Sequence, residues 1–452
     1  MHTLSQLRAG KLAGIKRLDL SCGLTSFPVE ILSLADSLEI LNLSGNALSS
    51  LPDSLSKLHK LRVIFCSDNH FTELPEALGQ CQQLEMVGFK ANKINHVPAK
   101  SLAKKLRWLI LTDNKISDLP REIGLCLNLQ KVMLSGNQLQ SLPIEMAACK
   151  RLELLRISAN SLIKLPEWLL SMPRLAWLAF AGNPFSDAEE ASTLQTITEI
   201  DWSSLKLGQT LGEGASGVIY RANHLLNGLG SDVAVKVFKG VVTSDGLPRS
   251  EKAASIVVGA HSGLIPVLAE ISNHPENASG LVMSLIPESF INLAQPPSLE
   301  SCTRDIYATE RTFTLEKVLN ILLSIASVAK HLHEKGVMHG DLYAHNILWN
   351  EKNDSLLGDF GAASFLPLHN KYLAENIQRI EVRAFACLLE ELLHLCDASP
   401  EMQHVFDAMT ALQNNCTQTE VSQRPLFIEI QSILMILNTK IKCKDMKSSG
   451  QC

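Results

Sequence analysis

Large apolar residues recur through the first 185 residues in one phrase, L-x-x-L-x-L-x-x-N, with Val, Ile or Phe sometimes in place of Leu. Leu38-Leu41-Leu43-Asn46, Leu106-Leu109-Leu111-Asn114 and Leu129-Val132-Leu134-Asn137 are three copies. The closing Asn falls at 46, 69, 92, 114, 137, 160 and 183, at spacings of 23, 23, 22, 23, 23 and 23. Leu-Pro or a close variant follows, at Pro52, Pro75, Pro98, Pro120, Pro143 and Pro166. An earlier copy, Ile15-Leu18-Leu20-Gly23, lacks the Asn but keeps Phe27-Pro28, which makes eight. Each phrase predicts a short strand with inward Leu side chains and an Asn that bonds the backbone where the chain turns. No copy buries its own core, so the array is stable only when neighbours stack. Apolar positions 4, 7 and 12 predict an N-terminal cap over Met1 to Ala13, and Asn183-Pro184-Phe185 a closing turn.

The residues flanking the middle Leu of each copy share one face. On adjacent strands Val63, Phe65, Met86, Trp108, Ile110 and Met133 make an apolar stripe there. Such a stripe, if exposed, marks an interaction surface, and it is expected to dock a protein partner. Burial against the second half of the same chain is the other reading.

The pattern changes after a polar connector, residues 186–204, which is expected to be short or helical. Apolar residues flank Gly212, Gly214 and Gly217, and Val218, Tyr220 and Ala222 continue as a strand. Asp232 to Phe238 alternates around a lone Lys236, and Gly280 to Pro287 reads as a buried strand running into a connector. Thr314 caps a helix to Lys335 whose apolar face is Leu315, Val318, Leu319, Leu322, Ile325, Ala326, Ala329 and Leu332. Residues 288–312 show no strong period. The end, Lys440 to Cys452, is rich in Lys and Ser and is expected to be an irregular tail.

At 452 residues the chain fits two or three domains. A net charge of -5 gives no electrostatic case for nucleic acid or an anionic membrane. Met1 to Gly14 lacks an apolar run fit for a signal peptide, and no window reaches the roughly 18 apolar residues of a membrane span, so a cytoplasmic location is expected. The eleven Cys form no Cys-x-x-Cys pair and have no His at zinc spacing, which argues for buried thiols rather than a metal site.

The candidate chemistry lies in His339-Gly340-Asp341-Leu342-Tyr343-Ala344-His345-Asn346 and Gly358-Asp359-Phe360-Gly361. Phosphoryl transfer needs a carboxylate to accept the attacking hydroxyl's proton and oxygens to hold Mg²⁺ over the phosphates. Asp341 suits the first task, Asn346 and Asp359 the second. Upstream, G-x-G-x-x-G-x-V followed by a strand rather than a helix argues for a hairpin whose bare backbone closes over phosphates, not a dinucleotide turn. Lys236 is then a phosphate-contacting residue. Glu251 is the best candidate to hold it, with Glu270 also nearby.

The repeats resemble the intracellular leucine-rich repeat, and residues 205–437 resemble a protein kinase in motif content and order. The whole is similar to leucine-rich-repeat protein kinases of bacterial or plant type. The resemblance implies an α/β leucine-rich-repeat solenoid (residues 1–185), a connector (186–204), an α+β two-lobed protein-kinase-like domain (205–437) and a flexible tail (438–452). It implies ATP in the cleft, with Leu211, Gly212, Gly214, Ala215, Ser216, Gly217 and Val218 over the phosphates and Met283 and Leu285 at the adenine. Lys236 paired with Glu251, Asp341 as base, and Asn346 and Asp359 on Mg²⁺ complete the implied set. The expected activity is γ-phosphoryl transfer to a protein hydroxyl, Ser/Thr first. A small-molecule kinase, a pseudokinase scaffold and a pure binding protein are the alternatives.

Three departures bear on regulation and substrate. The Arg that usually precedes the catalytic Asp, and normally reads an activation-loop phosphate, is Gly340. Tyr343 stands where Ser/Thr kinases usually carry a Lys, for which His345 is a partial substitute. No Ala-Pro-Glu follows Asp359-Phe360-Gly361, and the buried Asp of the next family helix has its counterpart in Glu381. Arg424 resembles the late family Arg, with Glu375 a weak candidate partner.

Overall fold

Each repeat phrase forms a three-residue strand centred on its middle Leu position. In the computed structural model, which describes residues 2–193, 197–214, 216–226, 229–240, 242–397 and 399–448, these strands are β1 (Arg17–Asp19), β2 (Ile40–Asn42), β3 (Val63–Phe65), β4 (Met86–Gly88), β5 (Trp108–Ile110), β6 (Lys131–Met133), β7 (Leu154–Arg156) and β8 (Trp177–Ala179). The chain folds into two compact units. One comprises residues 1–175, 182–185 and 242–246; the other comprises 176–181, 186–241 and 247–452.

In the first unit β1 to β7 pair in parallel and in sequence order, the middle residue of each strand opposite the middle of the next. A 3-10 segment follows each proline, as at Asp53–Lys57 and Ile144–Ala148. The Asn of each phrase satisfies backbone groups that the turn strands. Asn137 Oδ1 accepts from Ile116 N (3.0 Å), while Nδ2 donates to Leu111 O and Leu134 O (2.9 Å each). Asn46, Asn69, Asn92, Asn114 and Asn160 do the same. Helix α1 (Leu4–Arg8) caps the array's start, with Thr3 and Gln6 in a capping box and Leu7 and Leu12 buried.

The apolar stripe is not an open face. Val63, Met86, Trp108 and Met133 are buried, and Phe65 and Ile110 half-buried. Local packing explains part of this. The Phe65 ring lies over Gly88, where an added Cβ would fall 2.5 Å from it. Lys131 Nζ sits 4.8 Å from the centre of the Trp108 ring. Residues 242–246 also belong to this unit. Asp245 forms a 3.0 Å ion pair with the buried Arg156, its carbonyl accepts from Ser158 Oγ (3.1 Å), and Lys90 Nζ meets Ser244 Oγ (3.3 Å).

In the second unit, β8 is followed by α2 (Pro184–Thr193, which starts in the first unit) and by a six-stranded sheet. Its strands are β9 (Glu199–Asp201), β10 (Leu205–Glu213), β11 (Gly217–Leu226), β12 (Leu229–Phe238), β13 (Val267–Ser272) and β14 (Gly280–Ser284), in the order β10-β11-β12-β14-β13-β9. Leu205, Ala222, Val233, Val235, Ala269 and Val282 are its core. Helix α3 (Pro248–Val257) follows β12. A helical part follows: α4 (Leu315–Glu334), α5 (Lys371–His394), α6 (Gln403–Cys416) and α7 (Phe427–Ser448). Thr314 Oγ1 caps α4 and the expected apolar face is buried. The connector is the α2 helix plus edge strand β9. The tail differs from expectation: α7 stays helical to Ser448, because Ile430, Leu434, Leu437 and Ile441 bury one face. Residues 449–452 lie outside the described residues. Among the described residues no helix is long and apolar enough to cross a membrane.

Asn137→Ala orphans three buried backbone groups. An expected cost of about 2–3 kcal/mol is checked by urea denaturation of the full chain; an unchanged midpoint would contradict the ladder's role.

Candidate active site

A hairpin assembles the site. Strands Ile347–Trp349 and Ser355–Leu357 pair antiparallel, with Ile347 opposite Leu357. Asn350 Oδ1 closes the turn by accepting from Lys352 N and Asp354 N. The hairpin's open end therefore carries Asn346 and Gly358 side by side, and Gly358 N donates to Asn346 O (2.9 Å). His339 binds the same end through Nε2 to Gly358 O (2.9 Å).

Asn346 Nδ2 donates to Asp341 Oδ2 (2.8 Å) and Asp341 O (2.9 Å). That fixes the amide and leaves its Oδ1 as the atom to accept elsewhere. Asp359 takes a left-handed conformation (φ 57°) and its Oδ1 accepts from Gly361 N (3.1 Å). Asn and Asp supply hard oxygens, the donor set that suits Mg²⁺.

On the sheet side Lys236 and Glu251, both buried, form an ion pair. Glu270 pairs instead with Lys252 (2.9 Å), which resolves the two candidates in favour of Glu251. Burial pushes the Glu251 carboxyl up; Lys236's charge pulls it back, and Asp359's charge adds to the rise. Glu251 Oε2 lies 3.8 Å from where a Cβ on Gly361, two residues beyond Asp359, would be. Two pairs are thus formed, Lys236 with Glu251 and Asn346 with Asp341, and Asp359 follows Gly358, whose N–H is bonded to the Asn346 carbonyl.

The glycine turn divides by role. At Gly217 a Cβ would sit 2.4 Å from Val237 O, so packing excludes a side chain. At Gly212 and Gly214 nothing lies within 4 Å, so the protein's own packing does not explain the bare backbone there. Ser216 is buried, Val218, Met283 and Leu285 are half-buried and Leu211 is exposed. Ala215 lies outside the described residues.

Glu381 is buried on α5. Its Oε1 accepts from Gly340 N (2.7 Å), and its Oε2 meets His333 Nε2 (2.7 Å). Burial would raise this carboxyl, but the His333 hydrogen bond and charge, the His339 charge and the Gly340 N–H outweigh it and hold it below the carboxylate range. The absent Arg also has a physical reason. Gly340 has φ 75°, and a Cβ there would fall 2.5 Å from Ala362 O and 2.8 Å from Leu178 O.

His345 does not stand in for the missing Lys as a free cation. Asp305 Oδ1 holds its Nδ1 (2.7 Å) and Asp305 Oδ2 accepts from its backbone N–H (3.0 Å). Burial lowers the ring's basicity, yet the Asp305 bond and the charges of Asp305, Asp341 and Asp359 leave it raised. Glu375 pairs with Lys371 and Arg379, while Arg424 donates to the carbonyls of Gln418 and Arg379. Asp305 and His333 had no sequence signal: Asp305 lies in the aperiodic stretch, and His333 sits unremarked on a helix face.

Residues 205–391 match the family model "Protein tyrosine and serine/threonine kinase", and residues 37–58 match "Leucine Rich Repeat". The chain carries leucine-rich repeats and a protein-kinase domain. Such a domain implies use of ATP together with a divalent metal. The chain is similar to the serine/threonine-protein kinase-transforming protein mos of Moloney murine sarcoma virus (strain ts110), at 28% identity over 171 residues, 37% of this chain and 47% of that protein. It is also similar to fibroblast growth factor receptor 1 of Pleurodeles waltl, at 24% over 201 residues, 42% and 24% of the two chains. A third relative is the eIF-2-alpha kinase GCN2 of Arabidopsis thaliana, at 31% over 96 residues, 20% and 8%. The matches thus span less than half the length of these relatives.

Two outcomes follow. Gly217→Ala is expected to lower the melting temperature, whereas Gly212→Ala leaves it unchanged and weakens ATP binding; equal effects on both readouts would contradict the division. Glu381, with its depressed folded value, contributes stability above its unfolded pKa of about 4.3. That contribution is lost as pH falls through the lower folded value. Glu381→Gln should therefore lose less stability between about pH 5 and pH 3 than the native chain, read by denaturant titration across pH.

Proposed function

We propose that this chain is an Mg²⁺·ATP-dependent protein kinase, Ser/Thr-directed, with its repeats as a protein-recognition module. One observation supports this above the rest: the Lys236–Glu251 pair is formed while Asn346 is fixed against Asp341 and Glu251 Oε2 lies 3.8 Å from the Cβ position of Gly361, in the turn that Asp359 opens. Lys236 would hold the α- and β-phosphates, with its charge kept in place by Glu251. Asp341 would orient the acceptor hydroxyl and take its proton, its carboxylate steadied by Asn346 Nδ2. Asn346 Oδ1 and Asp359 would hold Mg²⁺, which offsets charge on the transferring group when bound. Gly212 and Gly214 would bring backbone N–H groups to the phosphates. For the repeats, partner recognition would rest on the half-buried Phe65 and Ile110 and on surfaces beyond the stripe, since four stripe residues are covered.

A small-molecule substrate is the second reading, favoured by one observation. Only residues 366–370 separate the strand Ser364–Phe365 from α5, which leaves little chain for gripping an extended peptide.

Asp341→Asn tests the reading. ADP production from Mg²⁺·ATP should fall by about 10²–10⁴-fold with nucleotide affinity and melting temperature retained. Native chain that neither binds nor turns over ATP would sink it, and a panel of protein and small-molecule acceptors separates the two readings.

A further inference from the structure

The strand Trp177–Ala179 continues the repeat register in sequence, yet residues 176–181 belong to the second unit, where they meet the catalytic loop and the segment after Asp359. The Trp177 indole stacks on the Tyr343 ring, centroids 4.2 Å apart and planes 4° from parallel. Its Nε1–H donates to Leu342 O (3.0 Å). The Arg304 guanidinium lies over the Trp177 ring, 5.6 Å from its centre. Leu178 O fills the space beside Gly340 that a side chain would need. Phe180 N–H donates to Ser364 Oγ (2.9 Å), and Ser364 starts the short strand that pairs with Val337–Met338 just before His339.

We infer that Trp177 is a positioning residue for phosphoryl transfer, and that residues 177–180 set the catalytic loop without help from an activation-segment phosphate. This rests on the kinase reading above. An Arg at 340 would be the group to read such a phosphate, and the backbones of Ala362 and Leu178 both stand in its way. The loop is gripped instead on three residues within four: at Gly340 by backbone packing, at Leu342 by the indole N–H, at Tyr343 by stacking. Asp341 lies inside that run. A stacked aromatic pair stabilises beyond the area it buries, and a buried carbonyl left without its donor is costly. The grip is therefore strong enough to decide the loop's conformation, and small displacements of a catalytic group lower rate steeply.

The experiment uses the full chain, with water as phosphoryl acceptor and ADP release as readout, so no protein substrate is needed. Trp177→Phe keeps an aromatic face and loses the N–H; Trp177→Ala loses both. The expected result is a kcat lowered several-fold in Trp177→Phe and at least about tenfold in Trp177→Ala, with ATP affinity within twofold of native in both. If Trp177→Ala does not fold, Trp177→Phe alone decides. A folded Trp177→Phe with native kcat overturns the inference. So does a loss of ATP affinity as large as the loss of kcat, which would mark Trp177 as merely structural. Absence of turnover in the native chain, by contrast, overturns the kinase reading itself.

Discussion

The second unit depends on one buried carboxylate. Glu381 has no access to water, so its charge must be met by protein groups. His333 meets one oxygen and the Gly340 N–H the other. The second bond demands that Gly340 present its N–H to the core while the chain turns outward to Asp341. It does so at φ 75°, which a glycine adopts without penalty. From that single turn follow the direction of Asp341, its contact with Asn346 and the closeness of Leu178. A side chain at 340 would break the backbone geometry and the packing together.

Much of this was legible in the sequence, and what was not has physical causes. The repeat register placed every strand because an Asn ladder works only at one spacing: the amide must reach backward to the previous copy's carbonyl and forward to its own. Lys236, Asn346 and Asp359 stood out because each belongs to a string whose chemistry fixes both residue type and order, whereas Glu251 was one of two carboxylates that only the ion pairs separate. Glu381 was legible from its place at a buried helix. Asp305 was not, since a carboxylate in an aperiodic loop looks the same whether it faces water or His345. Helicity of residues 438–448 was missed because a Lys-rich composition hid the four apolar positions that fix the helix.

The apolar stripe shows where pattern reading runs out. Alternation states which side chains share a face; it does not state whether that face is wet. The polar residues settle the matter. Arg156 is fully buried, and a guanidinium removed from water requires hydrogen-bonding partners. The Asp245 carboxylate supplies such a partner, Ser158 Oγ holds the Asp245 carbonyl, and the five residues around Asp245 close over the strands there. Those residues run covalently into α3, the helix that carries Glu251. A partner seeking the same face would have to meet the Arg156 charge as well as Asp245 does, because uncovering it without replacement costs more than the apolar contacts alone would return.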